Sequence, residues 1–226
     1  MDTALITGAS RGLGLALARE LARRSWRLVI DARGIEALEA ARAELAAVTE
    51  VVAIPGDVAD ADHRRALVQA AGPRIDLLVN NASVLGPSPQ PALAAYPLDV
   101  LEDVYRVNVL APLALFQLAR RHLAPGACVV NVTSDAAVEP YEGWGGYGSS
   151  KAALEQVTRI LGAEHPSLRI LAVDPGDMRT QMHQEAFPGE DISDRPLPEA
   201  IVPGLLAIAL GDAPSGRYDA TAVTPA

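Results

Sequence analysis

Short runs of Val, Ile and Leu, each bounded by turn residues, alternate with longer Ala-rich amphipathic stretches along this 226-residue chain. A strand that is apolar on both faces must be covered on both faces, and helices that return the chain over a parallel sheet provide that cover. The runs fall at Thr3 to Ile6, Arg27 to Ile30, Val51 to Ile54, Leu77 to Asn80, Cys128 to Val132 and Ile170 to Val173, with a weaker seventh at Gly216 to Tyr218. Helical periodicity starts near Gly12, Gly34, Asp60, Leu98, Trp144 and Glu199. The expected fold is one doubly wound α/β domain over residues 1–226, with a sheet of about seven parallel strands and helices on both faces. The near-regular spacing leaves no room for a second domain. Between residues 177 and 198 the pattern fails, because Pro188, Gly189, Pro196 and Pro198 stand there among several acids. This segment reads as a substrate-loop insertion, a loop or short mobile helices ahead of the last helix.

Charge and cysteine content narrow the partners. There are 28 acidic residues against 19 basic ones, a formal charge of −9, and no basic block to neutralise a phosphate backbone, so nucleic acid is not an expected partner. No stretch approaches the ~20 uninterrupted apolar residues that span a bilayer. Asp2 and a glycine loop by residue 8 stand where a secretory leader has basic and then apolar residues. The chain therefore reads as soluble and cytoplasmic, with no membrane partner. The single cysteine, Cys128, makes no internal disulfide and no Cys-based zinc site, and its strand position assigns it to the core. His63, His122, His165 and His183 lie on different elements without ligand spacing, so surface positions and no metal site are expected.

The first strand runs directly into Thr7-Gly8-Ala9-Ser10-Arg11-Gly12-Leu13-Gly14 and then into a helix, Leu15 to Arg23. Strand, glycine loop and helix N-terminus together aim backbone N–H groups at a pyrophosphate. In this reading Gly8 permits the tight turn, Gly12 the approach of the phosphates, and Gly14 the packing of helix on strand. A turn that needs positive φ uses glycine equally well. The G-x-x-x-G-x-G spacing also departs from the G-x-G-x-x-G dinucleotide fingerprint, and so points to one branch of the Rossmann-type folds.

The segment Gly146-Tyr147-Gly148-Ser149-Ser150-Lys151 opens a helix, so Tyr147 and Lys151, four residues apart, share one face. A phenol that titrates near ~10 needs a downward shift of about 3 units for acid–base work near neutrality, about 4 kcal/mol in favour of the phenolate. A neighbouring ammonium and a positively charged cofactor ring could supply it. Surface Tyr and Lys at helical spacing are common, but 18 of the 19 basic residues here are Arg and Lys151 is the only lysine. A compact ammonium is kept at the one place where a planar guanidinium would differ in reach. The strand that begins at Cys128 ends in Ser134, at the carboxyl edge where open α/β sheets bind ligands, although Ser at a strand end is also an ordinary turn residue. Asn80 and Asn81 end another strand. Asn108 interrupts the apolar stretch Val107 to Phe116, where its amide must find backbone or an ordered water chain. Glu139, Tyr141 and Trp144 lie between Ser134 and Tyr147, either as pocket wall or as packing.

Taken in order, Thr7-Gly8-x-x-x-Gly12-x-Gly14, Asn80-Asn81-Ala82, Asn108, Ser134, Tyr147-x-x-x-Lys151 and Asp174-Pro175-Gly176 with Thr180 resemble the short-chain dehydrogenase/reductase family in its compact one-domain branch. The specific motifs run from Thr3 to about Thr180. The resemblance implies an NAD(P)-dependent oxidoreductase that moves a hydride between its cofactor and the carbonyl or alcohol of a small organic substrate. It implies Tyr147 as acid–base, Lys151 holding the nicotinamide ribose and lowering the phenol's pKa, Ser134 orienting the substrate carbonyl, and Asn108 holding a water in the proton relay. For the cofactor it implies Gly8, Ser10, Arg11, Gly12, Leu13 and Gly14 in the phosphate loop, Asp57 and Val58 at the adenine, and Asn80, Asn81 and Ala82 on the adenosine side. Pro175 and Gly176 would pass the nicotinamide amide, and Thr180 would reach that amide or the pyrophosphate. A homodimer or homotetramer is the family's common assembly. Two departures stand out: Ser83 replaces the glycine that members usually carry after Asn-Asn-Ala, and the family's frequent Gly-Gly pair beyond the seventh strand is absent. Ser83 is expected to place its side chain beside the adenosine ribose.

The end of the second strand, Asp31-Ala32-Arg33, gives conflicting signs about the cofactor. An acid that bonds the ribose 2′-hydroxyl favours NAD(H), whereas a nearby Arg accommodates the 2′-phosphate of NADP(H). Family members with a selecting acid carry it at the place of Ala32. Arg33, with Arg11 on the other flank, therefore favours NADP(H), and Asp31 is expected to buttress Arg33. NAD(H) is the alternative. Two rival functions fit part of the pattern. One is a non-catalytic dinucleotide-binding sensor or interaction protein, against which the intact Ser134, Tyr147 and Lys151 speak. The other is a dehydratase or epimerase on sugar nucleotides, which usually needs a substrate domain.

Overall fold

The computed structural model describes residues 1–223. Seven strands, β1 Thr3–Ile6, β2 Arg27–Ala32, β3 Val51–Pro55, β4 Ile75–Asn80, β5 Leu123–Val132, β6 Arg169–Asp174 and β7 Gly216–Asp219, form one sheet in the order β3-β2-β1-β4-β5-β6-β7. Every neighbouring pair is parallel. The α-helices are α1 Gly12–Arg23, α2 Ile35–Ala46, α3 Ala61–Ala71, α4 Leu98–Tyr105, α5 Ala111–Ala119, α6 Gly145–Glu164, α7 Gln181–Ala186 and α8 Pro198–Leu210. The doubly wound parallel sheet read from the alternation is the observed fold.

Strand alternation divides the core between the two faces. Leu5, Val29, Leu78, Val129 and Ile170 pack with Leu67 of α3, Leu115 and Phe116 of α5 and Leu161 of α6. Their neighbours Ile6, Leu28, Leu77, Val130 and Leu171 pack with Leu17 of α1, Leu38 of α2 and Leu205 of α8. Successive strands are added outward in one direction from β1 to β3 and in the other from β4 to β7. The strand order reverses between β1 and β4, and the carboxyl ends of the strands open a crevice there.

Three local features differ from the sequence pattern. β5 starts at Leu123 rather than Cys128, with an irregular register between Ile75 and Leu77 of β4. Pro125 and Gly126, the latter at φ +76°, interrupt the apolar run and disguise that extension. The helix that begins at Leu98 does not run through unbroken: a π-helical turn, Arg106–Leu110, carries Asn108 and separates α4 from α5. The 177–198 segment contains α7, whose N-cap Thr180 accepts the His183 N–H.

The histidines are not surface residues. His63 is buried against Asp31, and His122, His165 and His183 are each half-buried. Cys128 lies in the core as expected, and burial pushes its thiol up to about 12. Among the described residues no group of three His, Cys, Asp or Glu side chains is placed to hold a metal. Among the same residues no helix is long and apolar enough to cross a membrane.

Candidate active site

A cleft of about 1670 Å³ runs over the carboxyl ends of the central strands, from Arg33 after β2 to Trp144 at the start of α6. At one end lies the glycine loop. Gly8, at φ +68°, makes the turn, and a Cβ there would fall 2.9 Å from Ala82 Cα. A Cβ on Gly14 would fall 2.5 Å from the Gly8 carbonyl, so this glycine serves the packing of α1 on the loop and does not itself line the cleft. Gly12, at φ +57°, differs: beyond it only Thr180 Cγ2 comes within 4 Å of a built Cβ, at 3.6 Å. α1 starts there with no side-chain cap and no acid in its first turn, so its free N–H groups face the cleft. A helix N-terminus of this kind takes a phosphate.

The loop is held by groups that the motif does not announce. Asp31, 1% exposed, accepts the Gly8 N–H at 2.7 Å and meets His63 Nε2 at 2.8 Å. It therefore does not buttress Arg33, because both carboxylate oxygens are engaged inside the protein. Asn81 donates its amide to the Thr7 and Gly8 carbonyls, and Thr7 Oγ1 accepts the Asn81 and Ala82 N–H groups, each at 3.0 Å. Asn80 stays out of the cleft: its amide donates to Asn131 Oδ1 at 2.7 Å, and Asn131 donates to Thr158 in the core. Ser10, Arg11, Leu13, Arg33, Asp57, Val58, Ala82, Pro175, Gly176 and Thr180 all line the cleft. The Arg33 side chain is exposed there, whereas Arg11 donates to Gln181 of α7 at 2.6 Å.

At the other end α6 presents Tyr147 and Lys151, both buried and both lining the cleft. Lys151 Nζ donates to the Val132 carbonyl at 2.8 Å and lies 5.3 Å from the centre of the Tyr147 ring. Burial pushes the lysine's pKa down to about 8, with the Asp174 carboxylate opposing. The phenol shifts upward. Burial, and then the Asp174 charge, hold it well above its ordinary value, while a hydrogen bond with Ser83 pulls it down. The protein by itself thus keeps Tyr147 protonated at neutral pH. Ser134, two residues beyond the end of β5, lines the cleft, donates to Asp135 Oδ1 at 2.9 Å and caps the following turn.

Asn108 is buried outside the cleft, and its side chain has no capacity left for a water. Its amide donates to Val84 O at 2.9 Å and Ser150 Oγ at 3.0 Å, and its oxygen accepts the Val84 N–H and the Ser83 hydroxyl. The Asn108 side chain is thus a clamp that ties the loop after β4 to α6. The Ser83 hydroxyl donates to Asn108 Oδ1 at 3.0 Å, and Ser83 lines the cleft. Arg217 of β7 was not singled out by any motif. It pairs with Glu155 of α6 and with Asp174 at the end of β6, each at 2.8 Å. Burial raises the Asp174 pKa, and the Gly176 N–H and Arg217 partly restore its charge.

A phosphate-binding helix end and a buried Tyr–Lys pair across one switch-point crevice define a nucleotide-dependent oxidoreductase on a doubly wound sheet. Residues 2–191 match the family model for short chain dehydrogenase, and the chain belongs to that family. It is 34% identical over 200 residues to sepiapterin reductase of Bos taurus, covering 80% of this chain and 74% of that one. A rhamnolipids biosynthesis 3-oxoacyl-[acyl-carrier-protein] reductase of Pseudomonas aeruginosa is 36% identical over 193 residues, 79% of this chain and 73% of that one. The fold superposes with a TM-score of 0.88 on a short chain dehydrogenase from Shigella flexneri solved in complex with NADP, at 27% identity over 97% of both chains.

Proposed function

We propose that this short-chain dehydrogenase/reductase reduces the carbonyl of a small organic molecule with NADPH. The buried Tyr147–Lys151 pair on the cleft wall carries the reading: Lys151 Nζ lies 5.3 Å from the centre of the Tyr147 ring, and a phenol beside an ammonium is equipped to pass a proton to a substrate oxygen. NADP(H), when bound, supplies the hydride. The uncapped α1 N-terminus with Gly12 would hold its pyrophosphate, and the exposed Arg33 its 2′-phosphate, with Arg11 released from Gln181. Tyr147 gives its proton to the carbonyl oxygen as that oxygen gains negative charge. Lys151, beside the ring, stabilises the phenolate that remains, and Ser134 orients the carbonyl with its hydroxyl. Residues 177–198 form the substrate loop in this reading, since Met178, Met182, His183 and Ala186 all reach the cleft. A non-catalytic sensor would have no use for a buried Tyr–Lys pair.

The test is Tyr147→Phe, followed at the NADPH absorbance with a carbonyl panel and by NADPH titration. Turnover is expected to fall by about 10²–10⁴ while NADPH affinity stays within a few-fold. Retained turnover would refute the mechanism.

A further inference from the structure

We infer that the substrate is an uncharged ketone or aldehyde carrying an aromatic or similarly flat apolar group beside its carbonyl, a deepening that rests on the oxidoreductase reading above. The wall around the phenol is apolar and comes from four separate segments. Tyr147 packs with Leu85 from the loop after β4 and Ala136 from the turn after β5, and Trp144, Met182 and Ala186 close around them. Trp144 is half-buried and lines the cleft. It meets Tyr147 edge-on at 5.9 Å and 73°, and packs on Phe187 at 5.7 Å, which in turn meets His183 at 4.8 Å. A flat substrate group laid beside the reacting carbonyl would extend this row of rings by the offset or edge-on contacts that aromatic pairs favour.

The charges at this end disfavour an acidic substrate. Asp135 sits one residue beyond Ser134 and accepts its hydroxyl at 2.9 Å; its other oxygen accepts the Tyr141 hydroxyl at 2.9 Å. Asp174 lines the same end of the cleft. Two nearby guanidiniums are committed elsewhere, Arg217 to Glu155 and Asp174 and Arg106 to Asp103, while the exposed Arg179 lines the cleft from the segment after β6. Lys151 is bonded to the Val132 carbonyl. A carboxylate next to the reacting carbonyl would lie against Asp135, and like charges in a partly dry cleft repel.

Four matched probes separate the two features: 1-phenylpropane-1,2-dione and butane-2,3-dione are neutral with and without a ring, and benzoylformate and 2-oxobutanoate are their anionic counterparts. With the full chain and NADPH, kcat/KM should be roughly three- to tenfold higher for the aryl member of the neutral pair. It should be about tenfold or more higher for each neutral probe than for its anionic counterpart. Calorimetric titration of the probes into the NADP⁺-loaded protein should give the same order. Trp144→Ala should remove the aryl advantage and Trp144→Phe should keep most of it, while Asp135→Asn should narrow the gap between neutral and anionic probes. The inference is overturned if either anion matches its neutral partner, if the ring confers no advantage, or if NADPH binds and none of the four probes turns over. Absence of NADPH binding together with absence of turnover would instead overturn the underlying assignment as an NADPH-dependent reductase.

Discussion

Asp31→Leu strips the phosphate loop of its internal anchor. The native carboxylate accepts the Gly8 N–H at 2.7 Å and meets the His63 ring nitrogen at 2.8 Å, with 1% of the residue exposed. Hydrogen bonds to a charged group contribute about 1.5–3 kcal/mol each, and leucine leaves both partners buried without one. A loss of about 3–6 kcal/mol follows, and at about 2 °C per kcal/mol for a chain of this length the Tm falls by about 6–12 °C. Asp31→Asn keeps an oxygen for Gly8 and loses only the charge, so its Tm falls by about 2–4 °C. Gly8 sits at φ +68° against Ala82, so the position of the loop depends on that N–H bond and NADPH affinity declines with Tm across the series. Thermal melts and NADPH fluorescence titrations on the three proteins measure both. A leucine variant within about 2 °C of wild type and with unchanged affinity would refute the anchoring argument.

Lys151 is displaced from its ordinary 10.5 to about 8, so the unfolded chain binds more protons than the folded one between those values and wild type gains stability as pH rises through that window. Relative to Lys151→Met the gain approaches about 1.4 kcal/mol per pH unit; denaturant midpoints that stay parallel from about pH 8 to about pH 10 count against it. Arg33→Ala should lower the ratio of catalytic efficiencies with NADPH and NADH by about 10- to 100-fold, the worth of one charge-assisted phosphate contact. An unchanged ratio places cofactor selection elsewhere. Ser83→Gly removes the hydroxyl that lowers the Tyr147 pKa, so the tyrosine limb of the kcat–pH profile should move up. An unshifted limb means that Ser83 only fills space.

The sheet was legible because a strand buried on both faces has to be apolar throughout, and six of the seven runs are. The Gly216–Asp219 strand was faint because it pairs on one side only, with β6 at the sheet edge. The Tyr147–Lys151 pair and the glycine loop were legible because each is local, a helical spacing and a turn. Contacts between distant segments were not. Asp31 and His63 are 32 residues apart, and nothing in either neighbourhood signals the other. Arg217, Glu155 and Asp174 come from β7, α6 and β6, so their network exists only once the sheet is assembled. The environment of the Tyr147 phenol was hidden for the same reason: spacing reveals the neighbouring ammonium but not the burial and the Asp174 charge that raise its pKa.

Lys151 also makes this protein chemically simple. It is the only lysine in the chain, so the side-chain amines number one, and that one lies 3% exposed on the wall of the cleft. An acylating reagent that fits the cleft therefore has a single internal target, an amine made more nucleophilic at mild pH by its depressed basicity. A mass increment on the peptide that carries Lys151 reports directly whether the cleft is open or filled, with no surface lysines to compete for the reagent.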